Sequence, residues 1–168
     1  MSGAGAPSLA VDASGLRVAI IAGSWHTEIM DGLIAGAQET VGAAGAEHVL
    51  FRVAGAFELP AAAQAALTPA ADGGGGFDAA VCLGVIIRGG TPHFEYVSNA
   101  VTDGLTRVQL DAGLPVGFGV LTTDNEQQAL DRSGLAGSVE SKGQEAGEAA
   151  LHLAVQLRAI RSAGSAHS

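Results

Sequence analysis

Four short apolar runs, separated by stretches with a different hydrophobic rhythm, constrain this chain more than any other feature. Residues 16–22, 49–53, 79–87 and 115–121 are continuous or nearly continuous in Val, Ile, Leu, Ala and Phe, which suits strands buried on both faces. Between them, apolar residues return at helical spacing: Ile29, Leu33, Ala37 and Val41; Val97, Val101, Leu105 and Val108; then Ala146, Ala150, Leu153, Leu157 and Ile160. Local signals mark the ends. Gly42 and Gly45 stop the first helix, and Pro60 opens a short one that reaches Leu67. Thr91 and Pro92 are placed to be the N-cap and first residue of the long helix through Val97. Thr123 and Glu126 have capping-box spacing before a short helix that stops near Ser133-Gly134, and Ser138 is placed to cap the last helix. Strands alternating with helices predict an α/β fold, a four-stranded parallel sheet between two helical layers. The expected boundaries are a flexible tail over residues 1–15, one domain over 16–162 and a short tail over 163–168.

The charge balance narrows the partners. The formal net charge is −9, with eight Lys and Arg and no basic stripe, a balance that disfavours nucleic acid and anionic membrane. No run reaches the roughly 20 apolar residues of a membrane span, and residues 1–10 lack the basic start and apolar core of a signal peptide. A cytoplasmic protein is expected. Cys82, the single cysteine, lies in an apolar run and reads as a small buried hydrophobe. No Cys/His spacing suggests a metal site. The glycine-rich stretch 68–76 reads as a surface connector, because no strand leads into it and no Gly-Lys-Ser/Thr follows.

In open α/β sheets ligands bind at the carboxyl ends of the strands. That rule selects Ser24-Trp25-His26, Ala56-Phe57-Glu58, the segment from Arg88 to His93, and the segment from Leu121 to Asn125. Gly89 and Gly90 free the backbone to turn around a ligand, and the following helix start offers unpaired N–H groups and a positive dipole end to an anion. His93 carries an imidazole, the side chain most often used to pass protons, so it is a candidate for that role. The alternative for this segment is a well-capped helix bearing a surface histidine. Trp25 can stack on a flat heterocycle or pack in the core. Glu58 can accept hydrogen bonds from a ligand or cap a helix. Arg132 and Lys142 can hold a phosphate or be ordinary surface cations. His26, His48, His152 and His167 have no convergent partner in the sequence.

Taken together, these segments resemble the lumazine synthase (6,7-dimethyl-8-ribityllumazine synthase) family, over residues 16–161. The resemblance rests on Gly23-Ser24-Trp25-His26, on Gly55-Ala56-Phe57-Glu58-Leu59-Pro60, and on the run from Gly84 to Val97 that contains Arg88-Gly89-Gly90-Thr91-Pro92-His93. It continues in Gly119-Val120-Leu121-Thr122-Thr123, in Gln128-Ala129-Leu130-Asp131-Arg132-Ser133-Gly134 and in Lys142-Gly143. The resemblance implies a flavodoxin-like fold and the condensation of 5-amino-6-(D-ribitylamino)uracil with 3,4-dihydroxy-2-butanone 4-phosphate, without metal or redox cofactor. It implies that Trp25 stacks on the pyrimidine, that Ala56, Phe57 and Glu58 line the ribityl pocket, and that Val85, Ile86 and Ile87 flank the uracil. Gly89, Gly90 and Thr91 would hold the phosphate through N–H groups, and His93 would shuttle protons. Phe118, Arg132 and Lys142 would come from a neighbouring subunit, with Arg132 on the phosphate.

The family assembles as pentamers, sometimes twelve of them in an icosahedral shell. The segment 134–142 looks longer than in shell formers, so an isolated homopentamer is expected here, with riboflavin synthase as a further partner. Two departures from the family pattern stand out. Gly90 occupies a position where relatives often carry Gln or Ala, and the connector at 68–76 is longer than usual. The main alternative is a non-catalytic flavin or lumazine binder of the same fold. A dinucleotide oxidoreductase ranks below it, because Gly23-Ser24-Trp25-His26-Thr27-Glu28 stands where Gly-x-Gly-x-x-Gly would be required.

Overall fold

The two central strands explain the layering. In the computed structural model, which describes residues 9–69 and 76–165, β1 (Arg17–Ala22) and β3 (Ala79–Ile87) pair in parallel. Val18 to Ala22 and Ala79 to Ile86 are all buried, so both faces need cover, and alternate residues enter opposite cores. Val18, Ile20, Val81, Leu83 and Val85 join one core with α1 (Thr27–Ala43) and α5 (Lys142–Ser165). Ala19, Ile21, Ala80, Cys82 and Ile86 join the other with α2 (Leu59–Leu67) and α3 (His93–Ala112). Strands β2 (Glu47–Arg52) and β4 (Val116–Thr123) flank this pair, in the all-parallel order β2-β1-β3-β4. That is the flavodoxin-like order, with the topological switch between β1 and β3. The α/β, three-layer expectation therefore holds, and the loops after β1 and β3 lie side by side.

Glycines set how closely the layers approach. A methyl group on Gly143 would lie 2.0 Å from the Leu33 carbonyl oxygen, and one on Gly117 would lie 2.3 Å from that of Ala146. Helix α5 therefore rests on α1 and on β4 nearly backbone to backbone. Among the described residues no helix is long and apolar enough to cross a membrane.

Several expected ends move. Strand β2 runs over Glu47–Arg52 rather than 49–53, and β4 over Val116–Thr123 rather than 115–121. Thr91 is not the N-cap of α3. The helix begins at His93, and Pro92 occupies the cap position at φ −65°, ψ 2°, without a side-chain cap bond. Thr123 is not an N-cap either, because it is still paired with Ile87 in the sheet. The short helix α4 (Glu126–Leu130) is capped by Asn125, whose Oδ1 accepts the Gln128 N–H at 3.0 Å. Ser138 does not cap α5; its hydroxyl donates to the Leu130 carbonyl at 2.6 Å. The buried stripe of α5 is Gly143, Ala146, Gly147, Ala150, Leu151 and Ala154, whereas Leu153 and Leu157 are half-buried and Ile160 is exposed. Small residues win this face because the helix must lie so close to its neighbours. Ala13, within the expected tail, is buried and donates its N–H to the Ala44 carbonyl at 2.8 Å, while α5 continues past 162 to Ser165. Positions 70–75 of the glycine-rich connector lie outside the described residues.

Candidate active site

The loop after β1 is built to hold one large side chain out. Ser24 Oγ donates to the Val53 carbonyl at 2.7 Å, and Arg52 Nη2 donates to that of Gly23 at 2.9 Å, which ties this loop to the end of β2. His26 then adopts φ 56°, ψ 62°, the one positive φ on a non-glycine residue among the described ones. That conformation costs about 1–2 kcal/mol, and it turns the chain into α1 directly after Trp25. Trp25 is 69% exposed, so it is no core residue.

Its neighbour is the loop after β2. A Cβ placed on Gly55 would meet Trp25 Cδ1 and Glu58 Oε2, each at 3.4 Å, so the indole edge and the carboxylate share one patch. Ala56–Glu58 forms a single 3-10 turn. Glu58 Oε2 accepts the Gly55 N–H at 2.8 Å; the capping role is realised, and among the described residues Oε1 has no hydrogen-bond partner. Phe57 is 63% exposed, while Ala56 sits against β3, where a Cβ on Gly84 would be 3.2 Å from the Ala56 Cβ. Val85 and Ile86 are buried on opposite faces of β3, Val85 in the core with α1 and α5 and Ile86 in the other core with Ala56, and Ile87 is half-buried at the strand end.

The loop after β3 is open on one side. A Cβ on Gly89 or Gly90 would meet nothing within 4 Å, so neither glycine is demanded by packing within the chain. Among the described residues the N–H groups of Gly89, Gly90 and Thr91 donate to no backbone carbonyl, and His93 is exposed at the start of α3. This is an anion-binding geometry: free N–H groups ahead of a 20-residue helix.

Arg88 fixes that loop, a role the sequence reading did not give it. Its Nε donates to Asp124 Oδ1 at 2.8 Å, its Nη1 pairs with Glu95, and its guanidinium lies 4.1 Å from the Phe94 ring centroid. The two carboxylates raise the Arg88 pKa further, and in return the guanidinium holds the Glu95 carboxyl below its ordinary value. The start of α3 is thereby clamped to the end of β4.

Phe118, Arg132 and Lys142 lie elsewhere. They line a separate cleft of about 450 Å³ along the free edge of β4, together with Thr123 and Glu140. Phe118 is 45% exposed. Arg132 Nη1 donates to the Gln128 carbonyl at 2.8 Å, and Lys142 Nζ lies 2.7 Å from Glu145 Oε2 and 3.0 Å from Glu140 Oε2. These two carboxylates raise the Lys142 pKa, although desolvation, the largest single effect, opposes them. The expected residues thus fall into two groups on one chain: Trp25, Ala56 to Glu58 and Gly89 to His93 at the switch point, and Phe118, Arg132 and Lys142 along the outer strand.

A profile of the family described as 6,7-dimethyl-8-ribityllumazine synthase matches residues 15–158. The chain belongs to this family. A 6,7-dimethyl-8-ribityllumazine synthase of Leifsonia xyli subsp. xyli is 64% identical over 163 residues, covering 96% of this chain and 99% of the relative. One from Nocardioides sp. is 59% identical over 162 residues, 95% of this chain and 97% of the relative. One from Clavibacter michiganensis subsp. michiganensis is 57% identical over 166 residues, 97% and 100% respectively. Every segment that carried the resemblance lies within the family match. The sequence reading placed Arg88 and His26 in strand-end loops but missed the Arg88 pairing with Asp124 and Glu95, the positive φ at His26 and the place of Glu140 between two cations.

Proposed function

We propose that the protein is a lumazine synthase, condensing 5-amino-6-(D-ribitylamino)uracil with 3,4-dihydroxy-2-butanone 4-phosphate in riboflavin biosynthesis, at sites shared between neighbouring copies of the chain. The observation that carries the reading is the family match across nearly the whole chain. Trp25 stacks on the pyrimidine, Val85, Ile86 and Ile87 flank it, and Ala56, Phe57 and Glu58 hold the ribityl chain, with Glu58 Oε1 free to accept a hydroxyl. The N–H groups of Gly89, Gly90 and Thr91 cradle the phosphate. Phe118, Arg132 and Lys142 of a second subunit complete the pocket, with Arg132 on the phosphate.

The ring amine attacks the ketone and water leaves to give an imine. Phosphate is eliminated, the resulting enol tautomerises to a second carbonyl, and the second amine attacks that carbonyl and closes the ring as a second water leaves. His93 moves protons at the phosphate-bearing end. Amine and ketone are intrinsically reactive, so most of the acceleration comes from holding them together. Backbone N–H contacts make no use of the side chain at position 90, so Gly90 leaves the cradle intact.

Division of the site residues between two surfaces of one chain supports a homo-oligomer. So does β2, an edge strand whose Val49, Leu50 and Phe51 are 42%, 36% and 42% exposed, a patch that soluble monomers seldom present. We read the assembly as a homopentamer acting in the cytoplasm, with riboflavin synthase as the enzyme that takes the product; a shell-sized particle in analytical ultracentrifugation would overturn the pentamer. The functional test is direct. Mixing the protein with both substrates should raise lumazine fluorescence well above the spontaneous rate, and no acceleration would leave the non-catalytic binder as the reading.

A further inference from the structure

One carboxylate in the β4 cleft has no part in the reaction as described. Glu140 Oε2 lies 3.0 Å from Lys142 Nζ and 3.9 Å from Arg132 Nε, and its side chain is only 16% exposed. A single oxygen therefore faces both cations. The main chain fixes this arrangement. The N–H groups of Val139 and Glu140 both donate to the Asp131 carbonyl, at 2.8 and 2.9 Å, the Gly134 N–H donates to the Glu140 carbonyl at 3.1 Å, and the Lys142 N–H donates to that of Arg132 at 3.0 Å. Beneath it the hydroxyls of Ser133 and Ser138 lie 2.9 Å apart, and both reach the Leu130 carbonyl. The loop thus fixes the main chain at Glu140, and its carboxylate lies against both cations.

The lining of the cleft carries two cations and one carboxylate, Arg132 and Lys142 against Glu140. Glu145, outside that lining, also pairs with Lys142. A phosphate entering this cluster meets a carboxylate already occupying the side it would approach. Resting on the reading that Arg132 and Lys142 face the substrate phosphate, we propose that Glu140 is a built-in competitor of phosphate: it offsets part of the charge of the two cations while the site is empty and weakens their hold on the phosphate released by elimination. Glu140 is a positioning residue in this account and touches no reacting atom.

The test uses the assembled enzyme and inorganic phosphate. Glu140→Gln keeps the shape and removes the charge. Inhibition by inorganic phosphate should tighten about fivefold, the upper end of what an ion pair reached by solvent contributes. The KM for the phosphate-bearing ketone should fall by a similar factor, and kcat should fall as product leaves more slowly. Glu39→Gln, the same charge change on the distant helix α1, should leave all three unchanged. Should Glu140→Gln not assemble, Glu140→Asp draws the carboxylate back by one methylene and should move phosphate inhibition the same way, by about twofold. Unchanged or weaker phosphate inhibition in the Glu140 variants, with Arg132→Ala still weakening it, would overturn the competitor and leave the phosphate site standing. No effect from Arg132→Ala either would remove the phosphate reading and this inference with it.

Discussion

Replacing Arg132 by alanine asks the most of the cleft. In the single chain the guanidinium is anchored at one corner, by Nη1 to the Gln128 carbonyl at 2.8 Å, with Nε turned towards Glu140 at 3.9 Å. Nη2 and Nε are the nitrogens left for a phosphate, enough for one bidentate contact. A charge-assisted hydrogen bond of this kind contributes about 1.5–3 kcal/mol, and part of it is offset because the anion must displace Glu140. The KM for the phosphate-bearing ketone should therefore rise roughly 10- to 100-fold, while kcat at saturating ketone should fall less than about threefold, since binding lost equally in ground and transition states spares kcat. Initial rates of lumazine fluorescence, with the ketone varied at saturating uracil, give both constants. Arg132→Lys should fall between, because a point charge replaces the fork. An unchanged KM would refute the assignment of Arg132 to the phosphate.

Three further outcomes follow from the packing and exposure. Gly143→Ala drives a methyl to 2.0 Å from the Leu33 carbonyl and should cost about 1–3 kcal/mol, seen in calorimetry as a Tm lower by roughly 3–10 °C; a Tm within a degree of the parent's would contradict the close α1–α5 contact. Burial pushes the Cys82 thiol from 9.0 up to about 12, so native protein should resist alkylation at pH 8 and label once per chain in denaturant. Because this folded pKa is raised, its contribution to stability is complete below pH 9.0 and is lost as the pH climbs towards 12; labelling of native protein at pH 8 would show the thiol is not enclosed. Trp25 is the sole tryptophan and is 69% exposed, so its emission should be quenched by the ribitylaminouracil, and saturation without quenching would take it out of the site.

What the sequence made legible was whatever burial on two faces dictates. Strand β3 was readable to the residue because each side chain from Ala79 to Ile86 must be apolar or small. Ends were less legible where two local signals compete. Thr123 has N-cap chemistry, yet its pairing with Ile87 keeps it in the sheet and passes the cap to Asn125. Of the expected α5 stripe, Ala146 and Ala150 are buried, but Leu153, Leu157 and Ile160 give way to Gly143 and Gly147, because the helix approaches Leu33 and Thr40 so closely. The switch-point residues were visible because each follows a strand end. The Arg88 clamp was not, since Asp124 is 36 positions away and only the β3–β4 pairing brings it near. Glu140 was hidden for the same reason: its place between two cations comes from hydrogen bonds that fold residues 131–142 on themselves.

A site divided between two copies of the chain can be tested by complementation. His93→Ala and Arg132→Ala damage opposite halves, so each variant alone should assemble normally and turn over slowly at limiting ketone. Chains carrying one substitution each, unfolded together and reassembled in equal amounts, should recover intact sites wherever an undamaged His93 edge meets an undamaged Arg132 edge. In a ring of head-to-tail contacts that is about a quarter of the sites, and the regained rate of lumazine formation should match that fraction of the parent's. Mixed assemblies no faster than the two variants measured apart would contradict the shared site.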